Sequence, residues 1–420
     1  MITINNQSLI NLIKGIGIIA KDGWNLQLSS AQAATGKFLQ ALCIAPDETV
    51  QTVVTTPLEN DQPDFAAIIK SNEFIISEGI AGLSKSNVHI AAKESKLIIS
   101  NDMSTIAVDM VKAEVKGVAV NKQNCKYSLE MDRIELLEIL KHAIRYLNDD
   151  VTPNVILHVK EQSITASGTN RNAVGYARAD CKVQPGDKWD EACASYEPIS
   201  SDEKPGCDTA IPGKFVSYLI SALSLSKVNR VNLIVDNKYL HLRYDGYSIL
   251  SVRLSERIMK LNMFWDIVEA PAEECFAVEK SRFESAVKLI RRRLEINKAL
   301  SANVGIHLTI RKKSLEVSVA ANKVQVPIVE SSGKISYDMY VTPSYLETAI
   351  DACKAGNILI KKSAKCEKGF ICANGSVKDG FSLKVPRILF MMLDAKIAQQ
   401  SEARFASGVG STKEDIKNEN

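Results

Sequence analysis

The sequence predicts an α+β protein built from three similar domains in tandem. Three observations carry that expectation. A short β-branched strand, an amphipathic helix and three strands joined by tight turns recur about six times along the 420 residues. The strands alternate apolar and polar residues, as sheets do when one face is buried and the other wet. Each helix carries one apolar stripe and so covers a sheet, which makes every domain a layered structure. The repeat is too irregular for a solenoid. Two such units per domain account for the length.

Taken in order, the first domain (1–120) is the least regular copy. It shows a strand at 1–5, a helix near 9–19, a second helix near 72–83, and strands at 88–92, 96–100 and 105–110. The second domain (125–262) is the clearest. A strand at 127–131 leads to Asp132, a good helix N-cap, and a helix over 133–147. Leu136, Leu137, Leu140, Ala143, Ile144 and Leu147 form its apolar stripe. Pro153 ends the helical stretch, and strands follow at 155–160, 164–166 and 173–179. Ile211-Pro212 opens the next helix, because proline is tolerated in a first turn. Strands at 231–235, 239–244 and 248–254 are then separated by Asp236-Asn237 and Asp245-Gly246, both hairpin-turn dipeptides. Between them, 182–209 reads as a long polar surface loop with two Pro-Gly pairs.

The third domain (272–390) repeats the scheme twice. Its first unit has a strand at 276–279, a helix capped by Ser281, and strands at 304–310, 315–319 and 324–329. Its second has a strand at 337–341, a helix over 343–353, and strands at 358–362, 369–372 and 381–385. In the tail (391–420), an extra helix is expected within 390–405 and disorder from 406 onward.

Composition excludes several classes. With 45% hydrophobic and 24% charged residues the chain has the make-up of a soluble globular protein. Its longest apolar runs are shorter than a membrane span, and no signal-peptide pattern opens it, which argues for a cytoplasmic location. Nine cysteines contain no C-x-x-C pair, so reduced structural thiols are expected rather than a metal site or disulfides. Five histidines form no ligand-spaced pair; His89, His158, His241 and His307 fall in strands. No nucleotide-binding or hydrolase motif appears, so neither an enzyme nor a cofactor is expected. A net charge of +3 predicts that any nucleic-acid contact is weak, salt-sensitive and sequence-blind.

Several stretches, in the right order, resemble the bacterial DNA polymerase III sliding clamp (beta subunit) family over residues 125–390. They are Ala166-Ser167-Gly168-Thr169-Asn170-Arg171-Asn172-Ala173, Ile211-Pro212, Phe264-Trp265-Asp266-Ile267, Thr342-Pro343-Ser344-Tyr345-Leu346 and Lys384-Val385-Pro386-Arg387-Ile388-Leu389. The resemblance implies a divergent clamp: a crescent of three clamp-like domains, helices inside and sheets outside. Two crescents would close head to tail into a homodimeric ring around duplex DNA. The ring would tether DNA polymerase, clamp loader subunits and other replication or repair proteins.

Two surfaces follow from the resemblance. The pore would present Lys141 and Arg145 on one helix, Lys288, Arg291 and Arg292 on another, and Lys14 on the first, touching phosphates without base readout. The alternative for each cluster is a solvated helix face. Partner peptides would lie in a cleft between the second and third domains, walled by Ile156, Arg171, Asn172, Trp265, Leu383, Val385 and Pro386. The alternative is that the apolar residues among them form inter-domain core. The tail is expected to fold over that cleft. The rival function is a clamp-shaped decoy that sequesters polymerase or loader without encircling DNA.

Overall fold

A computed structural model describes the chain except residues 21–22, 60, 84–86, 149–150, 171–172, 195–205, 270–273, 297–303, 312, 333–335, 354–355, 364–365, 376, 378–386, 392–394 and 407–420. The first domain runs β1 (Ile2–Ile4), α1 (Asn6–Gly17), β2 (Asn25–Ala33), β3 (Gly36–Ile44) and β4 (Val50–Leu58). Its second unit is β5 (Ala66–Lys70), α2 (Ser71–Ile76), α3 (Glu78–Leu83), β6 (Val88–Lys93), β7 (Lys96–Ser100) and β8 (Thr105–Asp109). The four strands between residues 25 and 70 are absent from the sequence-based expectation. The helix expected over 72–83 is broken in two at Ser77.

The second domain runs β9 (Tyr127–Asp132), α4 (Arg133–Ile144), β10 (Asn154–Lys160), β11 (Ser163–Thr169) and β12 (Ala173–Asp180), then β13 (Lys182–Pro185), α5 (Trp189–Ala194), β14 (Cys207–Pro212), α6 (Gly213–Leu225), β15 (Arg230–Val235), β16 (Tyr239–Asp245) and β17 (Ser248–Arg253). Asp132 caps α4 as expected, accepting from the N–H groups of Ile134 at 2.7 Å and Glu135 at 3.0 Å. Pro212, however, closes β14 and stands at the N-cap of α6 rather than inside it. The segment 182–209 is also not wholly a loop. β13 pairs with β9, and β14 pairs with β10.

A linker helix, α7 (Asn262–Glu269), leads to the third domain. There the order is β18 (Cys275–Glu279), α8 (Lys280–Ile296), β19 (Ile306–Arg311), β20 (Ser314–Val319), β21 (Asn322–Ser332), β22 (Asp338–Val341), α9 (Pro343–Ala352), β23 (Asn357–Ser363), β24 (Cys366–Asn374), β25 (Arg387–Met391) and α10 (Ala395–Ala406). Ser281 is the second residue of α8 and donates to the Glu279 carboxylate, so it is not the cap. The strand expected at 381–385 lies outside the described residues. The extra helix forms as α10, after residues 387–391 have been taken by β25.

One rule orders all the sheets. In each domain the opening strand of the second unit pairs with the first of the three strands of the first unit, as β5–β2, β14–β10 and β22–β19. The opening strand of the first unit pairs likewise into the second: β1–β6, β9–β15 and β18–β23. Between domains, the third strand of one first unit joins the last strand of the next second unit. β4 meets β17 over Val50–Val53, and β12 meets β25 over Ala173–Tyr176. These joins, together with the pairing of β18 with the second half of β21, fuse the strands into sheets of nine and twelve, leaving a sheet of four at the chain's beginning. Apolar helix stripes, such as Leu9, Leu12, Ile13 and Ile16 on α1 and Phe283, Val287, Ile290 and Leu294 on α8, are buried against them.

Candidate functional site

The helices stand side by side on one face of the sheets. α1 packs near α6 across the first junction, α6 packs on α4, and α8 on α9. Tyr146, just past α4, is buried in the third domain's core. Burial pushes its phenol well up, and its hydroxyl has no partner among the described residues.

The expected cations separate into two groups. Lys14, Arg145 and Arg292 are exposed on the sides of their helices away from the sheets, as is Arg293; none of the four forms an ion pair among the described residues. Lys141 is half-buried. Lys288 and Arg291 are engaged. Lys288 bonds Glu284, and that hydrogen bond holds the Glu284 carboxyl below its ordinary value. Arg291 reaches Glu295 at 3.0 Å and crosses to Glu347 on α9. His142, next to Lys141 on α4, is 4% exposed, its ring 5.3 Å from that of Tyr146.

At the second junction, Ile156 is 1% and Trp265 is 5% exposed. They share a cluster with Val174, Tyr176, Ala210 and Ile371 on the outer face of the twelve-stranded sheet. Strand alternation explains the placement: Val155 and Leu157 point to the helices, leaving Ile156 and His158 outward. α7 brings the indole onto this face. Its Nε1–H donates to Ser167 Oγ at 2.9 Å, and its ring lies 4.3 Å from that of His158. His158 Nδ1 in turn meets Asp208 at 2.7 Å. Of the other expected cleft residues, Arg171, Asn172, Leu383, Val385 and Pro386 lie outside the described residues. α10 does not cover this position. It lies against β22, at the far end of the sheet from β10 and β12, where Tyr340 donates to Glu402 at 3.1 Å.

The first junction has a different surface on the same face. A groove of about 290 Å³ opens to solvent across β2, β3, β4 and β17. Ala31, Phe38, Val53, Tyr247 and Ile249 line it. Tyr247 joins the two domains, its ring 4.8 Å from Phe38 and its hydroxyl 2.6 Å from Thr35. The linker residues Val118–Val120 form one wall. Gln51 fixes that wall, donating to Val118 O and accepting from Val118 N, both at 2.6 Å. Sequence reading missed this site because it joins strands about 200 residues apart, several of them unrecognised.

No protein-family profile matches the sequence, and no curated protein does. Solved structures do match. A Helicobacter pylori beta clamp in complex with carprofen superposes with a TM-score of 0.70 at 14% identity, over 94% of this chain and 99% of that one. The same organism's clamp bound to a DNA ligase peptide gives 0.67 at 14% identity over the same shares. The DNA polymerase III beta subunit of Thermotoga maritima gives 0.67 at 9% identity, and the sliding clamp of Pseudomonas aeruginosa 0.68 at 12%, again over 94% of this chain and 99% of theirs. The fold is therefore that of the bacterial sliding clamps: three α+β domains in a crescent, helices within and sheets without.

Proposed function

We propose that this chain is a DNA sliding clamp: two copies close head to tail around duplex DNA and tether polymerase and other replication or repair proteins. The observation that supports this best is a pair of strand edges with stretches left unpaired among the described residues. The rule that joins β4 to β17 and β12 to β25 leaves, among the described residues, the Asn322–Pro327 half of β21 without a second neighbour at one end of the crescent, its other half being paired with β18, and β8 at the other. A second copy would supply each with its missing neighbour.

Backbone parity fits that pairing. Ser104 and Met110 turn their bonding groups toward the β7 side, through Asn101 N to Ser104 O and Met110 N to Ser95 O. Thr105, Ala107 and Asp109 therefore face outward. Ile328 N bonds Lys313 O, so Lys323 and Gln325 face outward on β21. Exposed edges of this kind otherwise template aggregation. Replacing Ala107 by proline removes one outward N–H and no bond to β7. The expected outcome is a monomer in sedimentation at micromolar concentration, where the parent chain is a dimer. The parent chain is also expected to stay on circular DNA and leave it when the circle is cut. Equal loss from circular and linear DNA would refute the reading.

In such a ring, Lys14, Lys141, Arg145, Arg292 and Arg293 would meet phosphates, positioning without reading sequence. A Helicobacter pylori clamp holds a DNA ligase peptide. A comparable segment here would use the second junction, with Arg171, Asn172, Leu383, Val385 and Pro386 around Ile156 and Trp265. It would have to displace the indole or pack over it. The carboxylates on Lys288 and Arg291 favour, as a second reading, the decoy that binds polymerase or loader without encircling DNA. Topological retention on circles excludes it.

A further inference from the structure

We infer that the groove at the first junction docks a short partner peptide through a neutral aromatic anchor. The inference depends neither on ring closure nor on the cleft at the second junction. It comes from comparing the two junctions strand by strand. β2, β3, β4 and β17 occupy the places that β10, β11, β12 and β25 occupy in the next pair of domains. On the outer face of the second set, the chain itself seats an aromatic side chain delivered by a short helix, Trp265 of α7. On the outer face of the first set, the linker is extended and nothing described fills the space.

The lining indicates what enters. Phe38, Val53 and Ile249 offer apolar contact, and the lining includes no charged side chain. Gln40 and Thr55 give an indole N–H the kind of acceptor that Ser167 gives Trp265. The volume of about 290 Å³ is close to the lower end of ligand pockets, roughly 300–1,000 Å³, which suits one or two anchor side chains rather than a folded domain. The walls are set in advance, by Tyr247 against Phe38 and by Gln51 on the linker. Preformed walls lower the ordering cost of binding. The chain's own tail, 407–420, is no candidate, since it contains no aromatic residue.

The probe is a fluorescein-labelled peptide of residues 261–269, the α7 segment, titrated into the full-length chain and read by anisotropy. Saturable binding is expected, weakened at least tenfold when the peptide's tryptophan is alanine. It should weaken at least tenfold again when the groove is filled by Ala31→Trp. Methyl resonances of the unmodified chain give an independent reading: Val53, Val118 and Ile249 should shift. No binding, undiminished binding to Ala31→Trp, or shifts at Ile156 and Val174 instead would each overturn the inference. The last outcome would mean that the peptide exchanges with α7 at the second junction. Closure of the ring, tested by sedimentation, has no bearing on any of these results.

Discussion

The two junctions inside the chain solve one problem in two ways. Both fuse neighbouring sheets by four antiparallel residue pairs, and both are crossed on the outer face by the linker that follows. At the second, the linker coils into α7 and buries Trp265 among residues from both domains. At the first, it stays extended and is pinned by one side chain, Gln51. On the outer face, the linker at the second junction thus holds by packing, and the linker at the first by two polar bonds beside the Tyr247–Phe38 contact. Trp265→Ala tests this most severely. Emptying an indole-sized site costs about 3–5 kcal/mol, and the Ser167 hydroxyl loses its donor as well. Denaturant unfolding should show that loss, and amide exchange should rise along β12 and β24 while β4 and β17 stay protected. Uniform exchange across both junctions would break the contrast.

How far the sequence revealed this arrangement depended on local punctuation. Domains two and three carry turn and cap residues whose work is visible in place. Asp236 accepts from the N–H groups of Lys238 and Tyr239 at 2.7 Å, and Gly246 adopts φ +53° in its hairpin. The first domain has few such signals between residues 25 and 70, so β2 to β5 went unread although Leu26 and Leu28 alternate properly. Burial of Trp265 could be posed as an alternative but not decided, because its partners come from five distant strands. The pairing of Arg291 with Glu347 across two helices was invisible for the same reason, and it engages a cation that the resemblance assigned to the pore.

The second junction should also be the less tolerant on its helix side. Gly175 of β12 lies so close to Tyr146 that an added Cβ would sit 2.1 Å from Cδ2 of the ring. The ring is buried, so its neighbours must shift with it. Gly175→Ala is expected to cost about 1–3 kcal/mol, as overpacking of a filled core does. A thermal midpoint unchanged from the parent would show that Tyr146 has slack, and the second junction would then resemble the first.

At the first junction, losing the polar pin should cost less. Gln51→Ala removes two hydrogen bonds, each with a net value of about 0.5–1.5 kcal/mol. Released linker groups can turn to water, so the total should fall near the lower end, about 1–2 kcal/mol. The groove should lose its fixed wall as well. If the peptide then binds more weakly while the thermal midpoint barely moves, the pin serves the groove more than the fold.

The smallest effect is expected at the first junction's own close contact. Gly15 of α1 faces Val54 of β4, and a Cβ there would meet Val54 Cγ2 at 2.6 Å. Two effects oppose. Alanine in a helix interior is favoured over glycine by about 1 kcal/mol, whereas a β-branched neighbour is stiff at χ1 and must be displaced. The contact is longer than at Gly175, and it falls on a branched tip rather than a ring. Gly15→Ala should therefore destabilise by less than about 1 kcal/mol, the overpacking being largely offset by helix propensity. A loss matching that of Gly175→Ala would mean that the first junction is held by packing as tightly as the second, and the distinction between them would rest on the linkers alone.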